Sequence, residues 1–409
     1  MIREYEGIEK KQNISASALA AFVLSIVAPF SRFVLFGRGL LIITMYIVIP
    51  LLLIHVMQKR TLTISLSSIN ALMFFMLGWI ALSILLSHGS ITGITIDSCK
   101  VQICSFALFC CAINAREERT LNSIYIIISI AFILLYLYNG VQYLGGARYR
   151  IELQTGLFLD PNMVAGSFII PACLLTKVLM DKEKRAIARI FAVVVLLGML
   201  YVSLLGASRG GLLACAVCVA VTVLSRRNSI TKRFAFVFFG VLVLVLFFAY
   251  FVRNNIASEL IGRFTLEDVR ESGGSGRLNI YFSYLDYMFT KGSPVELLFG
   301  YGIGTGQHII GKASHSTPLD FLWGLGIIGF VFYVYFTVKL IKYCVKSKSD
   351  VAIACIVGVE IWSISLSLSN QFSFWAFLYY CISIASNEYI KDSYQFKTKL
   401  KVKIAIWRV

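Results

Sequence analysis

The feature that most constrains this chain is a succession of apolar segments, most of them about 20 residues long, joined by short polar connections. A helix of that length crosses the hydrocarbon core of a bilayer and satisfies its own backbone hydrogen bonds. Composition agrees, because 58% of the residues are apolar and 14% are charged, against about 25% charged residues in soluble domains. Hydropathy predicts spans at 16–36, 38–57, 69–87, 96–114, 121–143, 161–180, 187–206, 211–225, 233–252, 318–340, 351–368 and 372–390. We therefore predict an all-α, polytopic integral membrane protein with about twelve transmembrane helices.

The Lys and Arg residues set the predicted orientation. With the N-terminus inside and the spans alternating, roughly two thirds of the 38 basic residues fall in inside loops and the C-terminal tail. This asymmetry predicts a multi-pass protein of the cytoplasmic membrane with both termini in the cytoplasm. The net charge of +17 is spread over loops that face anionic lipid, so it requires no nucleic-acid partner. The polar start leads into a span without a small-residue cleavage site, so we expect no cleaved signal peptide.

One long polar insertion, residues 253–317, separates the ninth and tenth predicted spans, and the alternation places it outside the cell membrane. We predict three regions. Residues 1–252 form a membrane bundle of about nine spans, 253–317 form the extracytoplasmic insertion, and 318–409 form the last three spans with a basic cytoplasmic tail.

The ten cysteines all lie in or beside apolar segments, and the outside insertion contains none of them. That distribution predicts no disulfide framework, and no metal-ligand spacing is present in the sequence. We interpret the cysteines as small core residues, and we expect neither a metal nor a cofactor.

The tight outside turn "GASRGG", residues 206–211, contains Arg209, the only charge between two apolar spans. An ionisable group at a membrane boundary is a functional candidate, although an arginine that snorkels to lipid phosphates is an equally good interpretation. Gly210 and Gly211 would let a ligand approach the backbone closely.

Within the insertion, the flexible stretch "ESGGSGR" ends at Arg277, and an aromatic-rich segment follows it. Leu278, Phe282, Leu285 and Phe289 recur at helical spacing, which predicts an amphipathic helix over 277–290. Its other face carries three polar residues, Asn279, Ser283 and Asp286. We expect this helix to lie on the bilayer surface with Arg277 at its N-terminus, where backbone N–H groups favour an anion. An exposed loop arginine is the alternative interpretation.

The next stretch, "LFGYGIGTGQH", contains glycines at 300, 302, 304 and 306 but lacks the GK[ST] ending of a nucleotide-binding loop. It predicts either a loop that shapes a glycan or lipid-phosphate site, or a plain turn.

His315 stands just before the apolar segment that begins at Leu319, in the stretch "KASHSTPLDFLWGLGIIGF". Thr317, Pro318 and Asp320 predict a helix start, with Thr317 as its N-cap. The positive end of the helix dipole disfavours imidazolium there, and a neutral imidazole can accept a proton or a hydrogen bond. Catalysis and an inert interfacial histidine are both consistent with this placement.

These motifs together resemble the bacterial O-antigen ligase and polymerase superfamily. "SRGG" resembles its Ser-Arg-Gly turn, and "GR" followed by an aromatic-rich helix and "FGYGIGTG" resembles its insertion. "HSTPLDFLWGLGIIG" resembles its pattern of a histidine, then Asn, Ser or Gln, then nine residues and G-x-x-G. "FLDPNMVA" resembles its Pro-Asn segment at the sixth span. The resemblance covers most of the chain, and the order and sidedness of the motifs make it specific.

The resemblance implies an enzyme, a metal-independent glycosyltransferase that acts outside the cytoplasmic membrane on a glycan carried by undecaprenyl diphosphate. Arginine forks match phosphate oxygens and stay charged, so Arg209 and Arg277 would bind the diphosphate and stabilise its developing charge. His315 would orient the acceptor hydroxyl or take its proton. Six further residues could line a groove for a long or acidic glycan, or could be surface charge: Arg148, Arg150, Arg263, Arg270, His308 and Lys312.

Three functions remain open from the sequence. We favour a polymerase of lipid-linked repeat units for O-antigen (lipopolysaccharide) or capsule synthesis, over a ligase that transfers the finished glycan to another acceptor. A flippase or transporter of lipid-linked glycans is the third, although such proteins usually show repeated halves and midplane charges. The expected partners are membrane lipid and the undecaprenyl-diphosphate-linked glycan, with a chain-length regulator and a flippase as further candidates.

Overall fold

The computed structural model describes residues 14–31, 34–35, 38–59, 61–65, 68–86, 93–111, 113–139, 143–144, 148–149, 151–152, 158–206, 208–224, 276–392 and 401–405. Helices lie at every predicted span except the ninth, 233–252, which is outside the described residues. The first of them is shorter than predicted, because regular helix ends at Val27 and a 3-10 turn, Ala28–Phe30, follows.

The helices are α1 (Ala16–Val27), α2 (Leu40–Lys59), α3 (Ser68–Leu86), α4 (Gly93–Cys110), α5 (Ala115–Asn139), α6 (Pro161–Ser167), α7 (Ile169–Met180), α8 (Ala186–Leu205), α9 (Arg209–Leu224), α10 (Arg277–Lys291), α11 (Pro294–Phe299), α12 (Gly306–Ile310), α13 (Thr317–Lys346), α14 (Asp350–Ser365) and α15 (Phe372–Asp392). Short antiparallel pairs join β1 (Val34–Leu35) to β2 (Arg38–Gly39), β3 (Thr61–Ser65) to β8 (Lys401–Ala405), β4 (Tyr143–Leu144) to β5 (Arg148–Tyr149) and β6 (Ile151–Glu152) to β7 (Phe158–Leu159). The architecture is helical, as predicted, and these strands lie between helices or beyond the last one.

Several helices have the character of membrane spans. By length and apolar composition, α5, the continuous pair α6 and α7, α8, and α13 are long enough to cross a bilayer. The outer helices also expose apolar side chains, as α8 does at Ile187, Ile190 and Val194. Water would disfavour such a surface, whereas lipid would cover it. These observations support a membrane protein, while the number of spans and their orientation stay predictions.

The centre of the bundle is built around α15, which is buried on all sides. Its aromatic residues Phe374, Trp375, Phe377 and Tyr380 are each essentially inaccessible. A helix that is apolar all round belongs in an interior, where neighbouring helices cover every face. This central helix packs against α14, which in turn packs against α9 and α13.

The long helix α13 is interrupted at Gly326, whose φ of 69° and ψ of −172° lie outside the helical region. A break inside an apolar helix leaves backbone carbonyls of the preceding turn without their usual partners, so other donors must reach them. Residues 323–325 contribute the carbonyls in question.

Two segments supply the donors. From the glycine-rich stretch 300–306, Tyr301 N donates to the carbonyl of residue 323 at 2.8 Å, and Gly302 N donates to that of residue 324 at 3.1 Å. From α3, Ser83 Oγ donates to the carbonyl of residue 324 at 2.8 Å, and Trp79 Nε1 donates to that of residue 325 at 3.0 Å. The glycine-rich stretch therefore completes the broken helix, which favours the turn interpretation over a phosphate-binding loop.

Candidate active site

His315 lies in the turn before α13 with an unusual backbone conformation. Its φ is 52°, in the left-handed region, where a residue other than glycine is about 1–2 kcal/mol less stable. The flanking Ser314 and Ser316 are buried, whereas His315 itself is partly exposed. Such conformations persist only where surrounding contacts enforce them, and they concentrate at functional sites.

The helix start differs from the prediction by one residue. Ser316, not Thr317, occupies the N-cap position of α13, and Asp320 lies correspondingly deeper in the first turn. Thr317 instead joins the turn to the segment after α14, because its Oγ1 donates to Leu366 O and accepts from Leu368 N, both at 2.8 Å. The hydroxyl satisfies two buried backbone groups of another segment, and this contact outweighs capping.

The predicted amphipathic helix is present as α10, and Arg277 is its first residue. Leu278, Phe282 and Phe289 are 54%, 67% and 68% exposed, so the described residues leave most of the predicted apolar face uncovered. Its fourth member, Leu285, is half-buried against the neighbouring core. A third face, which the sequence analysis did not identify, packs inward. It comprises Tyr284 and Met288, with Tyr281 one turn earlier.

Tyr281 connects α10 to the His315 turn. Its hydroxyl lies 3.3 Å from His315 O and 3.4 Å from Ile364 O, either of which can accept its proton. Burial raises the pKa of the Tyr281 hydroxyl, and the positive charge of Arg277 partly offsets that shift. The backbone carbonyl of His315 therefore lies against this phenol, and Arg277 lies one helical turn before it in α10.

Arg209 begins α9, and the glycines that follow it pack against protein. A Cβ on Gly210 would lie 2.1 Å from Ser365 Oγ, and one on Gly211 would lie 2.4 Å from Ala165 Cβ. The expectation that these glycines admit a ligand is therefore wrong at both positions. They let α9 approach α14 and α6 closely.

The Pro-Asn segment supports the Arg209 turn. Asp160 caps α6 by accepting from Asn162 N at 2.8 Å. Ser208 Oγ donates to Asn162 Oδ1 at 2.9 Å, and Trp362 Nε1 of α14 donates to Asn162 O at 3.2 Å. Asn162 thus joins three segments through its side chain and its backbone.

The C-terminal end of α14 is where these parts converge. The Tyr281 hydroxyl lies 3.4 Å from Ile364 O, and Arg277 lies one helical turn before Tyr281 in α10. The residue after Ile364, Ser365, packs on Gly210 beside Arg209. Continuous contacts therefore join the segments that carry the three predicted catalytic residues. Sequence reasoning missed this meeting point, although the serine alternation in "SISLSLSN" at 363–370 is a visible signal.

The secondary candidates divide by location. Arg150, Arg263 and Arg270 are outside the described residues, as is the side chain of Arg148 in β5. His308 in α12 and Lys312 are exposed. The backbone carbonyl of Lys312 accepts from Tyr284 Oη at 2.7 Å, which fixes that loop on α10.

Three buried cysteines form the one group of described residues whose ligand atoms are arranged to hold a metal. The Sγ atoms of Cys173, Cys218 and Cys355 lie within 4.8 Å of one another, in α7, α9 and α14. Thiols suit a soft metal ion. Cys218 Sγ also donates to Ile169 O at 3.4 Å, a contact typical of a packed core thiol. No sequence spacing could reveal this group, because each member comes from a different helix.

No protein-family model matches the sequence, and no curated protein matches it. A chain from the solved structure described as "Structural coordination of polymerization and crosslinking by a peptidoglycan synthase complex" matches 80% of this chain and 98% of its own length. The identity is 15% and the TM-score is 0.45.

Proposed function

We propose that this protein is a membrane-embedded, metal-independent glycosyltransferase that polymerises glycan repeat units carried on undecaprenyl diphosphate. In this proposal it acts at the outer face of the cytoplasmic membrane, in O-antigen or capsular polysaccharide synthesis. The observation that supports it most is the convergence of the Arg209, Arg277 and His315 segments at the end of α14.

The proposed chemistry is a displacement at the anomeric carbon of the donor sugar. The acceptor hydroxyl attacks that carbon and forms the new glycosidic bond, while the bond to the diphosphate oxygen breaks. Undecaprenyl diphosphate leaves with the bonding electrons, and Arg209 and Arg277 stabilise its charge. His315 takes the proton that the acceptor hydroxyl loses. Because both cations are attached to ordered helix starts, little reorganisation is needed as charge develops.

The uncovered apolar face of α10 suits the lipid part of such a donor. Leu278, Phe282 and Phe289 are exposed on one side of this helix, next to the face that carries Arg277. The following helix, α11, packs on α3 and α13, which are apolar helices of the bundle. This arrangement supports contact between α10 and the outer leaflet, so that a polyprenyl chain would lie beside the cationic site.

The test uses purified protein in lipid nanodiscs with a synthetic undecaprenyl-diphosphate repeat unit and EDTA, followed by gel analysis of the glycan. We expect a ladder from wild type, and a loss of at least about 100-fold in Arg209→Ala, Arg277→Ala and His315→Ala. Lys291→Ala is the matched control, because Lys291 is an exposed cation at the other end of α10.

The other outcomes separate the remaining functions. If wild type forms no ladder but transfers glycan to an added acceptor such as lipid A core, the protein is a ligase. If it forms no glycosidic bond under any condition but moves the lipid-linked glycan across a sealed bilayer, it is a transporter and the proposal is wrong.

A further inference from the structure

The carboxylate of Asp320 gathers three serine hydroxyls from two separate segments. Ser314, the residue before His315, donates to Asp320 Oδ1. Ser369 Oγ donates to Oδ2 at 2.9 Å, and Ser367 Oγ lies 3.4 Å from Oδ1. Ser314 and Ser367 are themselves in contact, with their Oγ atoms 2.8 Å apart. One side chain of α13 thus fastens the His315 turn to the segment between α14 and α15.

The same turn is held at other points as well. Ser316 N donates to Ser314 Oγ at 3.2 Å, on one side of His315. Thr317 binds the 366–368 backbone on the other side, and the Tyr281 hydroxyl lies 3.3 Å from the carbonyl oxygen of His315 itself. These contacts oppose the intrinsic preference of a non-glycine residue to leave the left-handed conformation.

A carboxylate suits this position better than an amide. An ionised carboxylate only accepts hydrogen bonds and can take several at once, whereas an asparagine side chain has one acceptor oxygen and a donor NH₂. The three serine hydroxyls can all donate to aspartate, but an amide in its place forces at least one of them to reorient.

We propose that Asp320 is the positioning residue of the site: acting through Ser314, its carboxylate holds His315 in the left-handed conformation that directs the imidazole at the acceptor hydroxyl. The assignment of a reacting hydroxyl rests on the proposed function. The positioning of His315 by Asp320 is a statement about the turn alone, and it is tested separately.

The control is Glu360 of α14, a second carboxyl group that accepts hydrogen bonds from side-chain hydroxyl groups. Tyr333 Oη donates to its Oε2 at 3.0 Å, Ser363 Oγ lies 3.3 Å from Oε2, and Thr337 Oγ1 lies 3.4 Å from Oε1. Its hydroxyl partners come from α13 and α14 and do not include the turn at 314–317. Glu360→Gln therefore repeats the chemical change of Asp320→Asn without touching His315.

The first measurement is independent of activity. Diethyl pyrocarbonate modification of His315 is followed by mass spectrometry in the full-length protein in nanodiscs, with the exposed His308 in the same sample as an internal reference. We expect the rate at His315 to change by at least about threefold in Asp320→Asn, with His308 unchanged and with both rates unchanged in Glu360→Gln. An unchanged rate at His315 would overturn the positioning role, whether or not the protein polymerises glycan.

The second measurement is kinetic. Asp320→Asn should lower kcat by about 10- to 100-fold with little change in KM, because a small misplacement of a reacting group mainly affects the transition state. In a His315→Ala background the same change should lower the rate less than about twofold further, since both act through one imidazole. Two results would identify Asp320 as a general structural residue instead. One is that the rate losses of Asp320→Asn and His315→Ala add in the double variant, and the other is that Glu360→Gln lowers kcat as much as Asp320→Asn. If wild type forms no product, the proposed function fails and the modification rates alone decide the positioning role.

Discussion

The two parts of α13, before and after Gly326, differ in how they are held. The outer part, residues 317–325, is tied by hydrogen bonds to α3, to the glycine-rich stretch and to the segment after α14. The inner part, 327–346, is a regular apolar helix whose Tyr333 and Thr337 meet Glu360 of the neighbouring helix. The outer part is thus held by polar contacts of defined geometry, while the inner part packs as an ordinary apolar helix. The following variants test that difference.

The largest expected effect is at the boundary between the two parts. A Cβ on Gly300 would lie 2.4 Å from the backbone of Gly324, and Gly300 has a φ of 85°. Gly300→Ala should therefore destabilise the protein by about 3 kcal/mol or more, because backbone cannot move aside as a flexible side chain can. Gly311→Ala is the control, since its φ is 80° but no atom of the described residues lies within 4 Å of the added Cβ. Thermal unfolding in nanodiscs should show that Gly311→Ala loses at most about 1–2 kcal/mol of stability. Equal losses of stability in Gly300→Ala and Gly311→Ala would contradict the close packing of Gly300 on the backbone of Gly324.

The next effect concerns the tie between the outer part and the segment after α14. Thr317→Val keeps the shape of the side chain but leaves Leu366 O and Leu368 N without their partner. We expect a loss of about 1–3 kcal/mol of unfolding free energy, together with reduced transfer. Thr337→Val in the inner part removes a longer contact of 3.4 Å and should lose less than about 1 kcal/mol. A larger loss of unfolding free energy in Thr337→Val than in Thr317→Val would contradict the difference between the two parts of α13.

A smaller change in stability, but a clear one in activity, is expected at Tyr281. Tyr281→Phe removes the hydroxyl that lies against His315 O and Ile364 O and leaves the ring in place. Transfer should fall by about tenfold, since the α10 end of the site loses its contact with the His315 turn. Tyr287→Phe, on the same helix, keeps the ring contacts with Tyr301 and Trp323 and should retain wild-type activity. Initial rates of glycan transfer measure both.

The smallest effect is expected in the inner part. Tyr333→Phe removes the hydrogen bond to Glu360 at 3.0 Å and a longer contact with Ser363 Oγ at 3.4 Å, and it preserves the stacking of the ring on Phe321. Stability should fall by about 0.5–1.5 kcal/mol, the net contribution of a typical hydrogen bond. The transfer rate should stay within about twofold of wild type, because among the described residues Tyr333 contacts Glu360, Ser363 and Phe321 rather than the His315 turn. A tenfold loss of activity would show that the inner part also shapes the site.

Much of the helical framework follows from the sequence because a hydrophobic run of sufficient length is a local property. The helix at 277–291 was predicted nearly to the residue, since the spacing of Leu278, Phe282 and Phe289 repeats with the helical period. The start of α13 was displaced by one residue, because the hydroxyl of Thr317 binds a segment about 50 residues away and no local pattern records that contact.

By itself, the sequence determined a chain of apolar helices with a few cations and a histidine at the ends of some of them. Only the tertiary structure decided which of these ends meet. The end of α14 and the serines after it were not singled out from the sequence, yet they join the Arg209, Arg277 and His315 segments. The physical reason is that apolar periodicity specifies which residues leave water, whereas the partners of buried polar groups are chosen by helix packing between distant parts of the chain.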